Sequence, residues 1–460
     1  MANTKSASQP VIRNLTEGPL ARQLFLFTMP LVGANLLQAM YTLVDLWVVG
    51  NFCTTATISA VSVSGQIVYL MHAVGMGIGN GGQIIISQQV GAKDYDNLKH
   101  TIGTMLSFCI LSSIVIAIVG AVGRSLWLSL MQTPAEAVPE AVTYLMICCL
   151  GVPFVYVGGT FGSILRGVGN SKTPMYVLAV STITNIILDF ILVGYFGMGA
   201  AGAAWATVIA QFVSFIYALI VVYRIRDGIG FDFKPASFKI RGRSLRFLLK
   251  LSAPLVAMST CISISSLIVT SLVNTAGLAA SAISGIGSKL MSLIGVVSNS
   301  ISAAVGSMGA QNFAAGKIDR VKRINLLSSL ASLACFCVVA VIFWIFPEQI
   351  IGIFTTASNT EVLSLAETYL HIAVFGYFGS FMMGAPNGHI NAVGFTTLNL
   401  VISFLDAFPG RIGLAILFGQ VFGMGVTGYW IGAAIAPHIT TTIAYGYYLS
   451  GRWIKRKPLV

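Results

Sequence analysis

Long apolar runs, separated by short polar segments, recur along the chain from Phe25 to Leu449. Runs of about 20 apolar residues are long enough to cross the hydrocarbon core of a bilayer as helices. Because the runs are continuous and do not alternate with polar positions, a membrane β-barrel is disfavoured. The pattern predicts an all-α polytopic membrane protein with twelve spans, at residues 24–49, 54–86, 99–123, 138–163, 174–196, 202–223, 248–273, 279–309, 324–346, 363–388, 396–420 and 425–449. The second and eighth spans are the longest, and we expect them to tilt or to continue beyond the membrane.

Two acidic residues, Asp45 and Asp189, interrupt the apolar runs of the first half. A carboxylate within a membrane span is costly and usually marks a path for ions or substrate. The alternative is a structural role, in which each acid hydrogen-bonds a neighbouring helix. We favour the functional interpretation because the sequence places no basic residue of the first half at the depth of these two acids.

Composition and charge agree with a membrane protein. Hydrophobic residues make up 56% of the 460 residues and charged residues 9%, whereas soluble domains carry about 25% charged residues. The net charge is +12, and with a cytoplasmic N-terminus, 23 of the 26 Lys and Arg residues fall in cytoplasmic tails and loops or, for Lys99 and Lys250, at the cytoplasmic end of a span. Such loops are enriched in these residues. Topology with both termini cytoplasmic therefore explains the charge, and no nucleic-acid partner is expected. The first 23 residues are polar, so we expect the first span to insert uncleaved.

The sequence indicates neither a cofactor nor an enzyme. Gly75 to Gly81 has G-x-G patterns but lies inside a predicted span, so we interpret it as a helix-packing face. No P-loop pattern occurs, and the seven cysteines lack metal-ligand spacing with a histidine. A membrane-embedded transferase would need catalytic residues on a loop. In the outer loops Glu136, Glu140 and Glu348 are isolated, which disfavours that class.

An internal repeat, with an offset of 222 to 226 residues, divides the chain into two halves. Four matches in register carry it: Met29-Pro30-Leu31-Val32 with Ala253-Pro254-Leu255-Val256, Ser59-Ala60-Val61-Ser62 with Ser281-Ala282-Ile283-Ser284, Gln88 and Asp96 with Gln311 and Asp319, and Gly197-Met198-Gly199 with Gly423-Met424-Gly425. Each half holds six predicted spans, so both halves enter the membrane from the same side. We predict a parallel repeat with substrate between the halves, built from an N-terminal lobe at 1–223, a cytoplasmic linker at 224–247 and a C-terminal lobe at 248–460.

The whole chain resembles the multidrug and toxic compound extrusion (MATE) family of secondary transporters, in particular the bacterial branch related to the DNA-damage-inducible members. The resemblance rests on Pro30 to Asp45 (PLVGANLLQAMYTLVD), Gln88 to Asp96 (QQVGAKDYD), Leu165 to Pro174 (LRGVGNSKTP), Asn185 to Asp189 (NIILD) and Gly309 to Asn312 (GAQN). It implies a V-shaped pair of six-helix lobes. It also implies export of cationic, amphipathic drugs in exchange for Na⁺ or H⁺.

The positions of several polar residues relative to the predicted ends of their spans place them in one cluster in the first half. Asp45, Asp189 and Thr207 each fall four to seven residues inside the predicted outer boundary, which is roughly 6–10 Å at the helical rise. Asn185 shares a helix face with Asp189, and Gln38 shares one with Asp45. These oxygens could ligate Na⁺, or one acid could hold a proton, since burial and mutual repulsion both disfavour the charged form.

The family resemblance assigns cation coupling to Asp45, Asn185, Asp189 and Thr207, which would be the metal ligands if the ion is Na⁺. The related branch also uses an amide-bearing residue late in the fourth span. Here that neighbourhood reads Gly162-Ser163 and has no Asn. Both H⁺ and Na⁺ therefore stay open as the coupling ion, and no other cofactor is expected.

The second half carries a different set of charges. Its counterparts of Asp45 and Asp189 lie near Val269 and Ala415, whereas Lys289, Asp406 and Arg411 fall within its predicted spans. A structural ion pair or network among these three and a substrate role are both open. We expect Pro409-Gly410 to kink the eleventh span after Asp406.

Candidate residues for the substrate cavity are Gln38, Tyr41, Asp406, Arg411 and Lys289. Pro30 is a candidate hinge in the first span. An equally open alternative is that it only marks the beginning of the helix.

The preferred hypothesis is a monomeric multi-pass transporter of the inner membrane, surrounded by lipid, that exports small cationic molecules by alternating access. A flippase for a lipid-linked sugar precursor, from the same superfamily, is the alternative. It would need cationic groups for a pyrophosphate, for which Lys289 and Arg411 are the candidates. The acids of the first half argue against it.

Overall fold

A computed structural model describes residues 12–354 and 360–459, which form helices joined by turns and loops, with no β-strand among them. The first eight helices are α1 Leu20–Phe52, α2 Thr55–Gly91, α3 Tyr95–Val122, α4 Arg124–Leu130, α5 Val138–Gly167, α6 Lys172–Asp189, α7 Gly199–Arg224 and α8 Arg226–Ile229. They are followed by α9 Gly242–Asn274, α10 Leu278–Ala314, α11 Ile318–Ile345, α12 Pro347–Gly352, α13 Thr360–Ser364, α14 Ala366–Met382, α15 Gly384–Ala392, α16 Thr396–Leu405, α17 Leu414–Ile416 and α18 Gly425–Leu449. π-Helical segments occupy Phe190–Tyr195, Asp406–Gly413 and Leu417–Val421, and 3₁₀ turns occupy Pro235–Phe238 and Arg452–Lys455.

The predicted spans are present as helices. Ten helices in the described ranges are long and apolar enough to cross a membrane, and they cover the first nine predicted spans and the eleventh. The tenth predicted span is divided between α14 and α15, which meet at Met383. Pro386 has no N–H to donate to the carbonyl of Met382, which accounts for the break. The twelfth predicted span is α18, with 25 residues.

The chain divides into two compact units. Unit 1 comprises residues 12–15, Met29–Val256 and 459, and unit 2 comprises Thr16–Thr28 and the described part of Ala257–Pro458. Helix α1 therefore contributes to unit 2 up to Thr28 and to unit 1 from Met29. Helix α9 contributes to unit 1 up to Val256 and to unit 2 beyond it. In each helix the change lies two residues from a proline, Pro30 or Pro254.

Unit 1 is organised around α5, which contacts α2, α3, α6 and α7. Small residues allow these helices to approach closely, as is common inside membranes. A Cβ at Gly75 would overlap the Tyr156 ring, and one at Gly79 would overlap the Ser163 hydroxyl. The predicted packing face at residues 75–81 is confirmed by these contacts. The surrounding core is apolar and includes Leu145 and Val152, both 0% exposed.

Unit 2 is built on contacts of α10 with α11, α14 and α15, and of α18 with α14 and the Asp406–Gly413 segment. Glycines again mark the close approaches. A Cβ at Gly376 would lie 2.8 Å from the Ala434 Cα, and one at Gly379 would lie 2.9 Å from the backbone N of His438. These contacts fix α14 against α18, and both helices line the cavity described below.

The sequence repeat corresponds to a structural repeat. Helices α1 and α9 both have 33 residues, α2 and α10 both have 37, and α3 and α11 both have 28. Gly197 and Gly199 have φ angles of 63° and 57°, and Gly423 and Gly425 have φ angles of 68° and 61°. Only glycine adopts this left-handed conformation routinely. The paired glycines therefore fix the same turn at the beginning of α7 and α18.

Candidate functional site

A buried polar cluster in unit 1 contains the acids predicted from the sequence. Asp45 lies on α1, and Asp189 is the last residue of α6, directly before the π-helical segment Phe190–Tyr195. The side chains of Asp45 and Asp189 are near enough to interact electrostatically. The structure therefore brings these two acids into one site, as their predicted depths indicated.

The strongest feature of this cluster is that its polar atoms lack partners. Asp189 is 1% exposed and Asn185 is 0% exposed. In the described residues, both carboxylate oxygens of Asp189 and both polar atoms of the Asn185 amide lack a hydrogen-bond partner. Oδ1 of Asp45 is likewise unpartnered. Buried polar groups in proteins are almost always hydrogen-bonded, so a set of orphaned oxygens points to an ion, a proton or water.

Thr207 and Tyr41 complete the cluster on α7 and α1. The Tyr41 hydroxyl donates to Oγ1 of Thr207 at 3.1 Å. Tyr41 lies close to both Asp45 and Asp189. The hydrogen bond joins α1 to α7 beside the two acids.

Three further polar residues belong to this region and were missed from the sequence. Tyr144 on α5 is buried and lies close to Asp45 and Tyr41. Ser181 and Thr182 on α6 are buried and their hydroxyls have no partner in the described residues. The signal for Ser181 was available, since residues 181, 185 and 189 are spaced by four and share one helix face. Tyr144 offered no comparable signal.

The donor set suits a small hard cation or a proton. Carboxylate, amide and hydroxyl oxygens are the ligands that hard cations select, and Asp45, Asn185, Asp189 and Thr207 supply all three types. Two interacting carboxylates with no basic partner in the described ranges equally suit a site that takes up a proton. The geometry is compatible with both ions.

The fourth-span segment Gly162-Ser163 is engaged elsewhere. Oγ of Ser163 accepts from Nη2 of Arg166 at 2.8 Å, and Nε of Arg166 donates to Oε1 of Gln83 at 2.7 Å. Ser163 is 2% exposed and lies four residues from the Gly167 end of α5. Its hydroxyl therefore serves the half-buried Arg166 guanidinium.

The charged residues of unit 2 form a pair and a separate cation. Nε of Arg411 lies 3.0 Å from Oδ2 of Asp406, and both belong to the π-helical segment Asp406–Gly413. Lys289 on α10 is exposed and has no ion pair in the part of the chain that the structure describes. Pro409 lies inside this π-helical segment, where it cannot donate to the carbonyl of Leu405.

The remaining candidates lie on α1. Gln38 is exposed, whereas Pro30 is buried inside a helix that continues from Leu20 to Phe52 without interruption. Pro30 therefore does not mark the beginning of the helix. Its missing N–H leaves the carbonyl of Leu26 without its intrahelical partner, which is a local weak point in α1.

Comparison with known proteins identifies the family. The MatE family model matches residues 30–191 and 254–417, one match in each half. The probable multidrug resistance protein YoeA of Bacillus subtilis is 29% identical over 452 residues, which cover 96% of this chain and 97% of that protein. The probable multidrug resistance protein YpnP of the same organism is 30% identical over 446 residues, with 96% and 97% coverage.

A solved structure shows the same fold. The crystal structure of MATE in complex with MaL6 superposes with a TM-score of 0.91 at 19% identity, over 98% of this chain and 100% of that chain. With the family match in both halves, the twelve predicted spans and the two six-helix repeats, these similarities lead to one conclusion. The chain belongs to the MATE family of membrane transporters.

Proposed function

We propose that the chain is a secondary antiporter that exports cationic, amphipathic compounds in exchange for H⁺ or Na⁺. The observation that carries the proposal is the set of unpartnered oxygens on Asp189, Asn185 and Asp45, of which Asp189 and Asn185 are at most 1% exposed. An ion that binds there gains the contacts that these atoms lack. The names of the two Bacillus relatives, both probable multidrug resistance proteins, support drug-like substrates.

In the proposed cycle, the ion and the drug bind alternately. With access from outside, the ion binds at Asp45 and Asp189 and favours release of the drug. With access from inside, the ion leaves and the drug loads. For this coupling the ion must bind the two states with different affinities. Pro30, beneath Asp45 on the same helix, is the proposed point at which α1 bends.

The proposed setting is the inner membrane, with both termini in the cytoplasm and 224–247 as the cytoplasmic linker between lobes 1–223 and 248–460. The distribution of Lys and Arg supports this orientation. The transporter works as a monomer within the lipid bilayer and requires no resident cofactor, because the ion gradient supplies the energy. MATE transporters are not enzymes, so no covalent step is involved.

The test is ethidium efflux from proteoliposomes with an imposed Na⁺ gradient, an imposed pH gradient, or neither. We expect Asp45→Asn and Asp189→Asn each to abolish the gradient-driven part of the efflux. The matched control is Asp96→Asn, because Asp96 is an exposed acid that pairs with Lys99 on α3. It should leave efflux unchanged.

Unchanged gradient-driven efflux in both variants would refute coupling at this site. Efflux that follows the pH gradient in Na⁺-free buffer assigns H⁺ as the coupling ion. Efflux that requires Na⁺ at constant pH assigns Na⁺.

A further inference from the structure

Unit 2 contains a cavity of about 150 Å³ that the proposed ion coupling does not use. Its walls come from α9, α10, α14, α18 and the π-helical segment Asp406–Gly413, and every lining residue belongs to unit 2. A cavity of this size accommodates one benzene ring, as an apolar cavity of about 150 Å³ does in another protein. A ligand with a single aromatic ring and a small substituent fits this volume.

One positive charge faces this cavity. Arg411 is the only charged residue among the lining residues. Its Nε atom is committed to Asp406, which is buried at 3% exposure and does not line the cavity. Arg411 makes no other hydrogen bond within the described ranges, so its Nη atoms are available. A guanidinium with two free donors matches the geometry of a carboxylate.

The rest of the wall is aromatic and hydroxylic. The rings of Tyr369 and Trp430 meet edge to face, with centroids 5.1 Å apart. Trp430 is fixed by its Nε1 donating to Oγ of Ser284 at 2.8 Å. The hydroxyl of Tyr377 is buried, at 4% exposure for the residue, and has no partner in the described part of the chain. It offers the cavity a further donor.

We propose that this cavity is a binding site for an aromatic carboxylate. The carboxylate pairs with the Nη atoms of Arg411, and the ring packs against Tyr369 and Trp430. A cationic ligand of the same size would place its charge against the guanidinium, and a neutral one would leave the donors without an anion. The site stands apart from the ion coupling proposed for unit 1 and does not depend on it.

The ion pair between Asp406 and Arg411 lies within the π-helical segment that forms part of the cavity wall. Asp406 and Arg411 are five residues apart in a segment whose hydrogen bonds run from i to i+5. Nε of Arg411 donates to Asp406, and Arg411 is also a lining residue of the cavity. π-Helical turns of this kind occur frequently at functional sites.

The test is equilibrium dialysis of the purified full-length protein in detergent against radiolabelled benzoate. We expect saturable binding of one benzoate per chain. Benzylammonium and benzamide, which keep the ring but change the charge, should not compete at a tenfold excess. Competition by benzylammonium as effective as that by unlabelled benzoate, or binding that never saturates, would overturn the proposal.

Two variants locate the binding. Ala433→Phe places a ring in the cavity and should abolish saturable binding, whereas Ala331→Phe, on an exposed face of α11, should leave it unchanged. The neutral double variant Asp406→Asn/Arg411→Gln should weaken benzoate binding by about tenfold to a hundredfold, the effect of losing a charged hydrogen-bonding group.

The variants also separate this proposal from the proposed function. Thermal unfolding midpoints show whether each variant is folded. The competition of benzylammonium and benzamide with benzoate on the unaltered protein is a test that needs no variant. Wild-type benzoate affinity in folded Ala433→Phe would refute the location. Ethidium efflux by Asp45→Asn addresses only the ion coupling, so the two proposals can fail separately.

Discussion

Oδ2 of Asp406 lies 3.0 Å from Nε of Arg411, across one turn of a π-helix. In an α-helix, side chains three and four residues apart are neighbours, whereas these two are five apart. The pair therefore depends on the π-helical segment that begins at Asp406. Pro409, which cannot continue the α-helical hydrogen bonds, lies at the centre of that segment.

The ion pair predicts an asymmetry between single and double substitutions. Arg411→Gln leaves the buried Asp406 carboxylate without a counterion, and we expect a loss of about 3 kcal/mol in the free energy of unfolding. The double variant Asp406→Asn/Arg411→Gln should recover most of that loss, because no charge is then left uncompensated. Unfolding by denaturant in detergent measures both.

The control for this comparison is Lys322→Gln. Lys322 pairs with Asp319 at 3.8 Å, with side chains 51% and 94% exposed. Exposed pairs contribute little, so the change should stay within about 0.5 kcal/mol. If the double variant is as unstable as Arg411→Gln, the charge imbalance does not cause the loss.

The hydrogen bond between Tyr41 and Thr207 predicts measurable coupling between α1 and α7. Thr207→Val removes the acceptor and leaves the Tyr41 hydroxyl unpaired, which should cost about 1–3 kcal/mol. Tyr41→Phe/Thr207→Val removes both partners and should be more stable than the sum of the single changes predicts. A double-mutant cycle of unfolding free energies measures the interaction.

Thr143→Val serves as the matched change on another helix. The Thr143 hydroxyl is exposed and bonds the carbonyl of Pro139 within its own helix. Its substitution should alter stability by no more than about 0.5 kcal/mol. An interaction energy of zero in the Tyr41–Thr207 cycle would show that the contact adds nothing to the fold.

The unpartnered hydroxyl of Thr182 predicts a conflict between stability and transport. Thr182 is 2% exposed, and its Oγ1 has no partner in the described residues. Thr182→Val keeps the shape and removes an unsatisfied polar atom, so the unfolding midpoint should rise. Ion-driven ethidium efflux should fall, because the substitution removes one of the buried polar side chains that α6 carries together with Asn185 and Asp189. Functional sites often hold such locally unfavourable groups.

Ser113→Ala is the comparison for that result. Ser113 is buried, but its hydroxyl already donates to the carbonyl of Ile110 at 2.7 Å. Its removal should leave efflux unchanged. A Thr182→Val variant with wild-type efflux would exclude this hydroxyl from the transport site.

The pattern of the sequence predicted the helices well because membrane spans impose a strict length. The positions of α2 and α10 and the pairing of the two halves followed from apolar length and from four short matches. The break at Met383 did not follow, because the apolar run continues across it and only the missing N–H of Pro386 interrupts the helix.

Side-chain partners were less predictable than helix positions. Spacing placed Asn185 and Asp189 on one face, since both belong to one helix. The bond between Tyr41 and Thr207 joins residues 166 positions apart, and no local pattern encodes such a contact. The sequence left open whether Asp406 pairs with Arg411, with Lys289 or with a substrate. A contact between residues five apart requires a π-helical turn, and the sequence pattern did not predict one.

The segment from Asp232 to Arg241 packs along α3 and predicts a steric effect. Oγ of Ser107 donates to the carbonyl of Phe238 at 2.6 Å, and the backbone N of Arg241 donates to Oγ1 of Thr104 at 3.0 Å. A Cβ at Gly103 would overlap the Ser237 carbonyl. Gly103→Ala should therefore displace this segment and speed its cleavage by trypsin.

Gly242→Ala is the matched control, because a Cβ at Gly242 meets nothing within 4 Å. Its rate of cleavage should equal that of the unaltered protein. Equal rates for Gly103→Ala would mean that the segment accommodates the methyl group without leaving α3.

Asp232 makes the same segment sensitive to pH. Hydrogen bonds from the Ser237 hydroxyl and the Lys234 backbone N–H lower the pKa of Asp232 below its ordinary value of 3.8. A carboxyl whose pKa is depressed by folding stabilises the folded state above its unfolded pKa, and this contribution is lost as pH falls through the folded pKa. The packing of the segment should therefore persist at neutral pH and weaken only below about pH 4. Ser237→Ala removes the largest cause and should raise the pKa of Asp232 towards 3.8. Carbon-13 NMR titration of labelled Asp carboxyls measures the shift, with Asp232→Asn to assign the resonance. An unchanged titration curve in Ser237→Ala would show that the hydroxyl does not hold the carboxylate.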